Sequence, residues 1–420
     1  MSTQAAPRTG TPALLVASLL ACALVGGYAA VSSMGRSGFT DAIFTYVVDA
    51  DPHDKSAGGF PGAPAPLLRR YTGIEAVDYG LAVLVGFFSG LIGGDVAPQY
   101  RLFTLWGMTQ FGACWTLVAL EGLRAGNRGR LVSWTGTAGL LVQTCSWTIT
   151  VPLWLILHLF TSPVAKLAPS SPSPSALLVD LWDLAVLPLA ITLTFITPAL
   201  PMLLPSHFGA WAHYAATALW QPFPLWHSLA QSGLSRVARF VERTQGSPSR
   251  SPADHQAYLA QARSVYGFVT MLSVAAQVTV LQVVLAPPAV RESLARTYPS
   301  LRAYAAPDVT FASVFVPRGA PPVVDPAALA SGDLAGPAVY FFQYDMYFGC
   351  GAMLLWALHL HRNALRGRAA TSSANAPLRV AARVAWWFAL GGFAGALSTL
   401  LWERDVVVVE GEEAEGKKMR

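Results

Sequence analysis

Apolar runs long enough to cross a lipid bilayer, about 20 residues each, recur along almost the whole chain and leave little room for a separate soluble domain. Hydrocarbon offers no partner for a bare N–H or C=O, so runs of this length fold as helices that satisfy their own backbone. Only 12% of the 420 residues are charged, where an ordinary soluble domain carries about a quarter. The fold class is therefore all-α. A polytopic integral membrane bundle of about eight transmembrane helices is expected, as one domain over 1–420.

The expected spans are 12–33, 74–94, 102–121, 132–160, 176–204, 264–286, 337–360 and 380–402. Residues 12–33 have the texture of a signal peptide, but their length favours an uncleaved span. A ninth segment, 205–227, is interrupted by Pro222 and Pro224 and is expected to lie at the interface or re-enter. Between the spans lie the loops 34–73, 228–263 and 287–336, and a polar tail over 403–420. The net charge of +5 comes with arginines in short loops, notably Arg124, Arg128 and Arg130, and Arg362, Arg366 and Arg368. Such loops face the cytosol, which makes 228–263 cytosolic and 287–336 lumenal and sends both termini to the lumen. Positive-inside topology accounts for the charge without a nucleic-acid partner. The terminal "GKKMR" pulls the other way, because Lys417 and Lys418 sit where a cytosolic di-lysine retrieval signal would. Residence in the endoplasmic reticulum is the default expectation.

Familiar cofactor chemistry has no motif here. There is no GxxxxGK[ST], no GxGxxG before a helix, no HExxH and no GxSxG. The nearest approach to a cation loop, "DADPHDK" from Asp49 to Lys55, reads as a solvated acidic loop. Cys22, Cys114, Cys145 and Cys350 fall inside apolar runs with no metal-ligand spacing and are expected to be small core residues. Neither a cofactor nor a metal is expected.

Ionisable residues at membrane depth are the informative ones, since a carboxylate there costs on the order of several kcal/mol and is kept mainly for function. Asp345 lies well inside "GPAVYFFQYDMYFGCGAMLLWALHLH", flanked by Phe341, Phe342, Tyr344, Tyr347 and Phe348. Glu75 and Asp78 are three apart, on one helical face. Glu121 closes "CWTLVALEGLRAGNRGR" and can also be read as an ion pair with Arg124. Asp180 and Asp183 suit a helix start, where a carboxylate caps free amides, and Asp95 follows a glycine pair as a loop residue. Aromatic side chains make up 11% of the chain. A ring face stabilises a cation by roughly 0.5 to 2 kcal/mol, and a carboxylic acid sheltered from water can act as a general acid. An acid and an aromatic chamber are what proton-initiated cyclisation of a polyene requires.

The stretches "YTGIEAVDYG", "WTLVALEGLRAGNRGR", "PLWLILHLFTSPVA" and "FFQYDMYFG" resemble those of membrane-bound fungal terpene cyclases of the ascofuranone cyclase type, from about residue 71 to the final span. That resemblance implies metal-independent, acid-initiated ring closure of a prenyl or meroterpenoid chain, often an epoxidised one, in secondary metabolism. The enzyme class would be isomerase- or lyase-like, without ionisation of a diphosphate. Asp345, Glu75, Asp78 and Glu121 are the candidate catalytic residues. Tyr344, Trp147, Trp154, Phe341 and Tyr347 are the candidate walls. Carboxyls from distant parts of the chain are expected to converge in one dry chamber. The expected partners are a lipophilic small-molecule substrate and membrane lipid. A transporter of a small lipophilic metabolite, using the same carboxylates as a proton relay, is the alternative.

Overall fold

A computed structural model describes residues 13–45, 67–92, 96–167, 174–245, 255–324, 334–366 and 375–418, with side chains to Gly411. Among them every regular element is a helix. The long ones are α1 (Ala13–Arg36), α2 (Glu75–Ile92), α3 (Pro98–Gly122), α4 (Thr135–Cys145) and α5 (Trp147–Thr161). Then come α6 (Leu181–Ile191, continued through a π segment to Thr197–Leu203), α7 (Ala210–Trp220), α8 (Phe223–Thr244), α9 (His255–Leu285), α10 (Ala335–Leu365) and α11 (Ala376–Lys418). Five segments are long and apolar enough to cross a membrane: Ala13–Arg36, Glu75–Ile92, Ser175–Leu203, His255–Leu285 and Ala376–Gly411. That is fewer than the eight expected: α3 and α10 cover the expected 102–121 and 337–360 as unbroken helices but are not apolar enough to count, and 132–160 is one of two apolar runs inside which the chain doubles back.

The run 132–160 is the first. At Ser146 the backbone leaves the helix with φ 86° and ψ 156°, a region that side chains other than glycine rarely occupy. A continuous helix from Thr135 to Thr161 would place its ends about 39 Å apart. Instead Arg130, just before α4, donates from Nη1 to the Thr161 carbonyl at 2.9 Å, and the Thr150 hydroxyl reaches the Leu141 carbonyl at 3.2 Å. The helices α4 and α5 are therefore the arms of a hairpin whose tip is Ser146. Both ends of it lie beside the "RAGNRGR" turn.

The second reversal lies inside α11, at Gly391 (φ −132°) and Gly392 (φ 62°). Arg383 of the ascending arm and Glu403 of the returning arm are hydrogen-bonded, although 20 residues of continuous helix would separate them by about 30 Å. The positive φ at Gly392 favours glycine, and a Cβ there would lie 2.8 Å from the side chain of Gln110. That same amide, from α3, satisfies the broken backbone on both sides. Gln110 Nε2 donates to the Gly391 carbonyl at 3.1 Å, and the Ala394 amide donates to Gln110 Oε1 at 2.9 Å. Irregular backbone at membrane depth survives only where protein supplies such partners.

The segment 205–227 also departs from expectation. The His213 ring bonds the Met202 carbonyl at the end of α6, while Arg239 meets Asp180 and Asp183 at its start. Together α7 and α8 thus run antiparallel to α6 along its whole length. One run expected to cross returns, and 205–227 continues as helix into the expected loop, reaching the start of α6 only at Arg239, so the Arg-rich turn and the end of α8 stay on one face.

The described ends of α1 and α11 lie towards the same face of the bundle. Gly26 packs against Phe348 and Thr148, and Phe39 lies with Leu334 against Gly90. Helix α1 therefore runs antiparallel to α10, which puts Ala13 towards the Arg362 end. The returning arm of α11 brings Glu403 and Asp405 to that face too. Ala13 and Asp405 then share the Arg-rich face of the bundle. Reporter tags fused at either end are expected to react from the cytosol. Lumenal glycosylation of a C-terminal tag would contradict the α11 reversal.

Packing around the hairpins relies on rings against small residues. Phe111 of α3 meets Trp147 of α5 at 4.8 Å, Phe223 of α8 at 5.6 Å and Phe195 of α6 at 5.7 Å between centroids. Trp147 packs against Gly349 of α10, where a Cβ would come within 2.1 Å of the indole. Cys114 and Cys350 are buried with sulfurs 3.7 Å apart, whereas Cys145 is exposed and not a core residue.

Candidate functional site

The tip at Ser146 faces Asp345. The turn aims the first amides of α5 at α10, and the Thr148 amide donates to Asp345 Oδ1 at 2.8 Å. The Ser146 hydroxyl and the Trp147 amide flank the same carboxyl. Asp345 is buried, with 7% of its surface exposed. It acts on α5 as an N-cap supplied by another helix, much as Gln110 serves the α11 tip. Among the described residues no lysine, arginine or histidine pairs with it.

The other candidate carboxylates are engaged elsewhere. Asp78 Oδ1 accepts from the Tyr71 amide (3.1 Å), the Thr72 amide (2.7 Å) and the Thr72 hydroxyl (2.9 Å), and Oδ2 accepts from the Gly73 amide (3.0 Å). Its role is to fasten the turn that precedes α2. Glu75 is exposed at the rim of a depression of about 540 Å³ that it shares with Arg69 and Arg70. Asp180 caps α6, accepting from the Trp182 amide at 3.0 Å, in keeping with the helix-start reading. Asp95 and the loop 49–55 lie outside the described residues, and so do the side chains of Lys417 and Lys418.

Glu121 belongs to a fully buried charge network that local sequence pattern did not reveal. Arg124 donates to Asp405 Oδ2 at 2.8 Å and to Glu121 Oε1 at 3.1 Å, while Arg404 donates to Glu121 Oε1 at 2.5 Å and to Asp405 Oδ1 at 2.8 Å. The hydroxyls of Tyr258 and Tyr266, from α9, donate to Asp405 Oδ2 at 2.8 and 3.0 Å. Two carboxylates and two guanidiniums cancel, as a dry interior requires. The indole of Trp356 can only donate, so its 3.2 Å contact makes His158 Nδ1 the acceptor and turns Nε2–H towards Glu121 Oε2, 3.6 Å away.

The expected single chamber is therefore not assembled among the described residues. Asp345 and Trp356 are eleven positions apart on α10, about 16 Å, and Trp356 marks the Glu121 end. Trp147 goes with Asp345. Trp154 goes with Glu121, stacked on His158 at 5.7 Å. Tyr344 stacks between Tyr340 and Phe348, next in sequence to Asp345, and Phe341 meets Phe87 edge-on. Tyr347 points to a separate cluster with Phe103, Trp106 and Phe393, its hydroxyl bonded to the Phe315 carbonyl. A third charged group, of which only His361 is buried, was also missed: His361 Nε2 meets Glu403 Oε2 at 3.0 Å, and Glu403 in turn holds the half-exposed Arg383. Among the described residues no three His, Cys, Asp or Glu side chains gather as a metal-binding group.

Two doubled-back hairpins capped by polar side chains, in a bundle with apolar spans and a buried acid that has no cationic partner among the described residues, define an integral membrane protein. The chain belongs to the CtvD domain family, whose model matches residues 14–409. The resemblance seen in the four sequence blocks thus holds across almost the whole chain. It is 25% identical to the terpene cyclase ascI of Acremonium egyptiacum over 351 residues, 83% of this chain and 82% of that one. It is 25% identical to the terpene cyclase ctvD of Aspergillus terreus over 401 residues, covering 93% and 98%, and 26% identical to the terpene cyclase verU1 of Penicillium polonicum over 346 residues, covering 82% of each. No solved structure matches.

Proposed function

We propose that the chain is a membrane-bound terpene cyclase that closes rings on an epoxidised prenyl or meroterpenoid chain by metal-independent acid initiation, in the endoplasmic reticulum. The observation that carries this reading is Asp345. It is a buried carboxyl without a cationic partner among the described residues, held by a strained turn at Ser146 beside Trp147. Backbone strain on the order of 1 to 3 kcal/mol, kept beside an acid at membrane depth, is a mark of function. Being named terpene cyclases, the relatives supply the reaction class.

In this mechanism the Thr148 amide holds Oδ1 and leaves Oδ2 to carry the proton. Proton transfer to the epoxide oxygen lets a C–O bond break while the π electrons of a neighbouring alkene form the new ring bond. The resulting cation is stabilised by ring faces such as Trp147 and Tyr344. It then gives up a proton, which returns to the Asp345 carboxylate directly or through water, so that the acid is restored and the product is an isomer of the substrate. Glu121, Asp78 and Glu75 act at a distance in this reading, the first two by holding the helices and turns that frame the acid.

A transporter of a lipophilic metabolite is the second reading, and the paired broken hairpins favour it, since secondary transporters commonly carry such pairs. Membranes containing the protein, incubated with prenyl epoxides of graded length, separate the two. A cyclic product of unchanged mass is expected. Uptake of an unchanged compound would instead support the transporter.

A further inference from the structure

Between α10 and the ascending arm of α11 runs an apolar groove of about 970 Å³, on the side of α10 turned away from Asp345. Leu354, Leu358 and Leu365 form one wall, and Val380, Val384 and Phe388 the other. From Leu354 to Arg366 it is twelve positions long, about 18 Å, which matches one leaflet of a hydrocarbon core about 30 Å thick together with its headgroup layer. Its open end carries Arg362 and Arg366, both exposed and neither with a carboxylate partner among the described residues. The buried His361 borders the same end, but Glu403 already holds it, and Arg383 is neutralised by the same carboxylate. Two free guanidiniums at the mouth of a leaflet-length apolar groove, on the Arg-rich face, are complementary to an anionic head on an acyl chain. Basic pockets between helices on that side of a membrane bind acidic lipid headgroups.

We infer that the α10–α11 groove is a binding site for an anionic glycerophospholipid of the cytosolic leaflet, its acyl chain between Leu358 and Val384 and its phosphate at Arg362 and Arg366. The test is native mass spectrometry of the full chain released from nanodiscs of equimolar phosphatidylserine and phosphatidylcholine. The wild-type protein is expected to retain phosphatidylserine in preference, by about thirtyfold for two interfacial arginines. R362Q/R366Q should bring the two lipids close to parity, and V384W, by filling the apolar wall, should lower retention of both. Equal retention by the wild type, an unchanged preference in R362Q/R366Q, or undiminished retention in V384W would each overturn the site. So would mole-for-mole release of the lipid by an added prenyl epoxide, which would assign the groove to the substrate. None of these readouts depends on ring closure, so the site stands or falls separately from the cyclase reading.

Discussion

Asp345→Asn is expected to abolish ring closure, by about 10²- to 10⁴-fold as for loss of a general acid, while leaving the protein folded and the α4–α5 hairpin intact. The reasoning turns on the two tasks the carboxyl performs. As a cap it needs only an acceptor for the Thr148 amide, now 2.8 Å from Oδ1, and an asparagine carbonyl supplies one. As an acid it needs a transferable proton, which an amide lacks. Asp345→Ala removes both, so it should lose activity equally and in addition about 1 kcal/mol of stability for the missing cap. Measuring cyclic product per folded enzyme, alongside thermal unfolding in detergent, separates the roles. Wild-type turnover by Asp345→Asn would leave Asp345 as a structural cap and nothing more.

Apolarity is a local property, and what it controls was legible: the helical class, the depth of Asp345 within α10, and the capping of α6 by Asp180. The reversals were not. "LLVQTCSWTITVPLW" contains no glycine at its break and reads as one uninterrupted run. Its turn at Ser146 is held by Asp345, 197 positions from Thr148. Gly391 and Gly392 were visible, but glycine is frequent in membrane helices, and the group that stabilises their turn, Gln110, lies 281 positions from Gly391. Once α11 doubles back, "WERD" ceases to be the start of a polar tail and comes level with "LEGLRAG" on α3. The partners of Glu121 could not be found by spacing for that reason. Its ion pair with Arg124 could be, being three residues away.

Removal of one member of the Glu121–Arg124–Arg404–Asp405 network should give the largest loss of stability of any substitution considered for this protein. All four side chains are at most 1% exposed, so a single deletion leaves an uncompensated charge where water cannot reach it. Breaking a buried pair in this way costs about 3 to 5 kcal/mol. Asp405→Asn leaves one excess positive charge between Arg124 and Arg404 and weakens the anchors of Tyr258 and Tyr266. Arg404→Met leaves one excess negative charge, shared by Glu121 and Asp405. The double variant Arg404→Met/Asp405→Asn is neutral again. Its loss should fall short of the sum of the single losses by at least about 1 kcal/mol, the coupling expected of contacting charges. Thermal unfolding of the three variants in detergent measures that coupling, and strictly additive losses would mean the charges do not act as a unit. Trp356 ties α10 to His158 at the network end, eleven positions and about 16 Å from Asp345, so the molecules that stay folded should keep the acid against the Ser146 turn. A stability defect with turnover per folded molecule largely preserved is therefore the signature that distinguishes Glu121, Arg404 and Asp405 from Asp345.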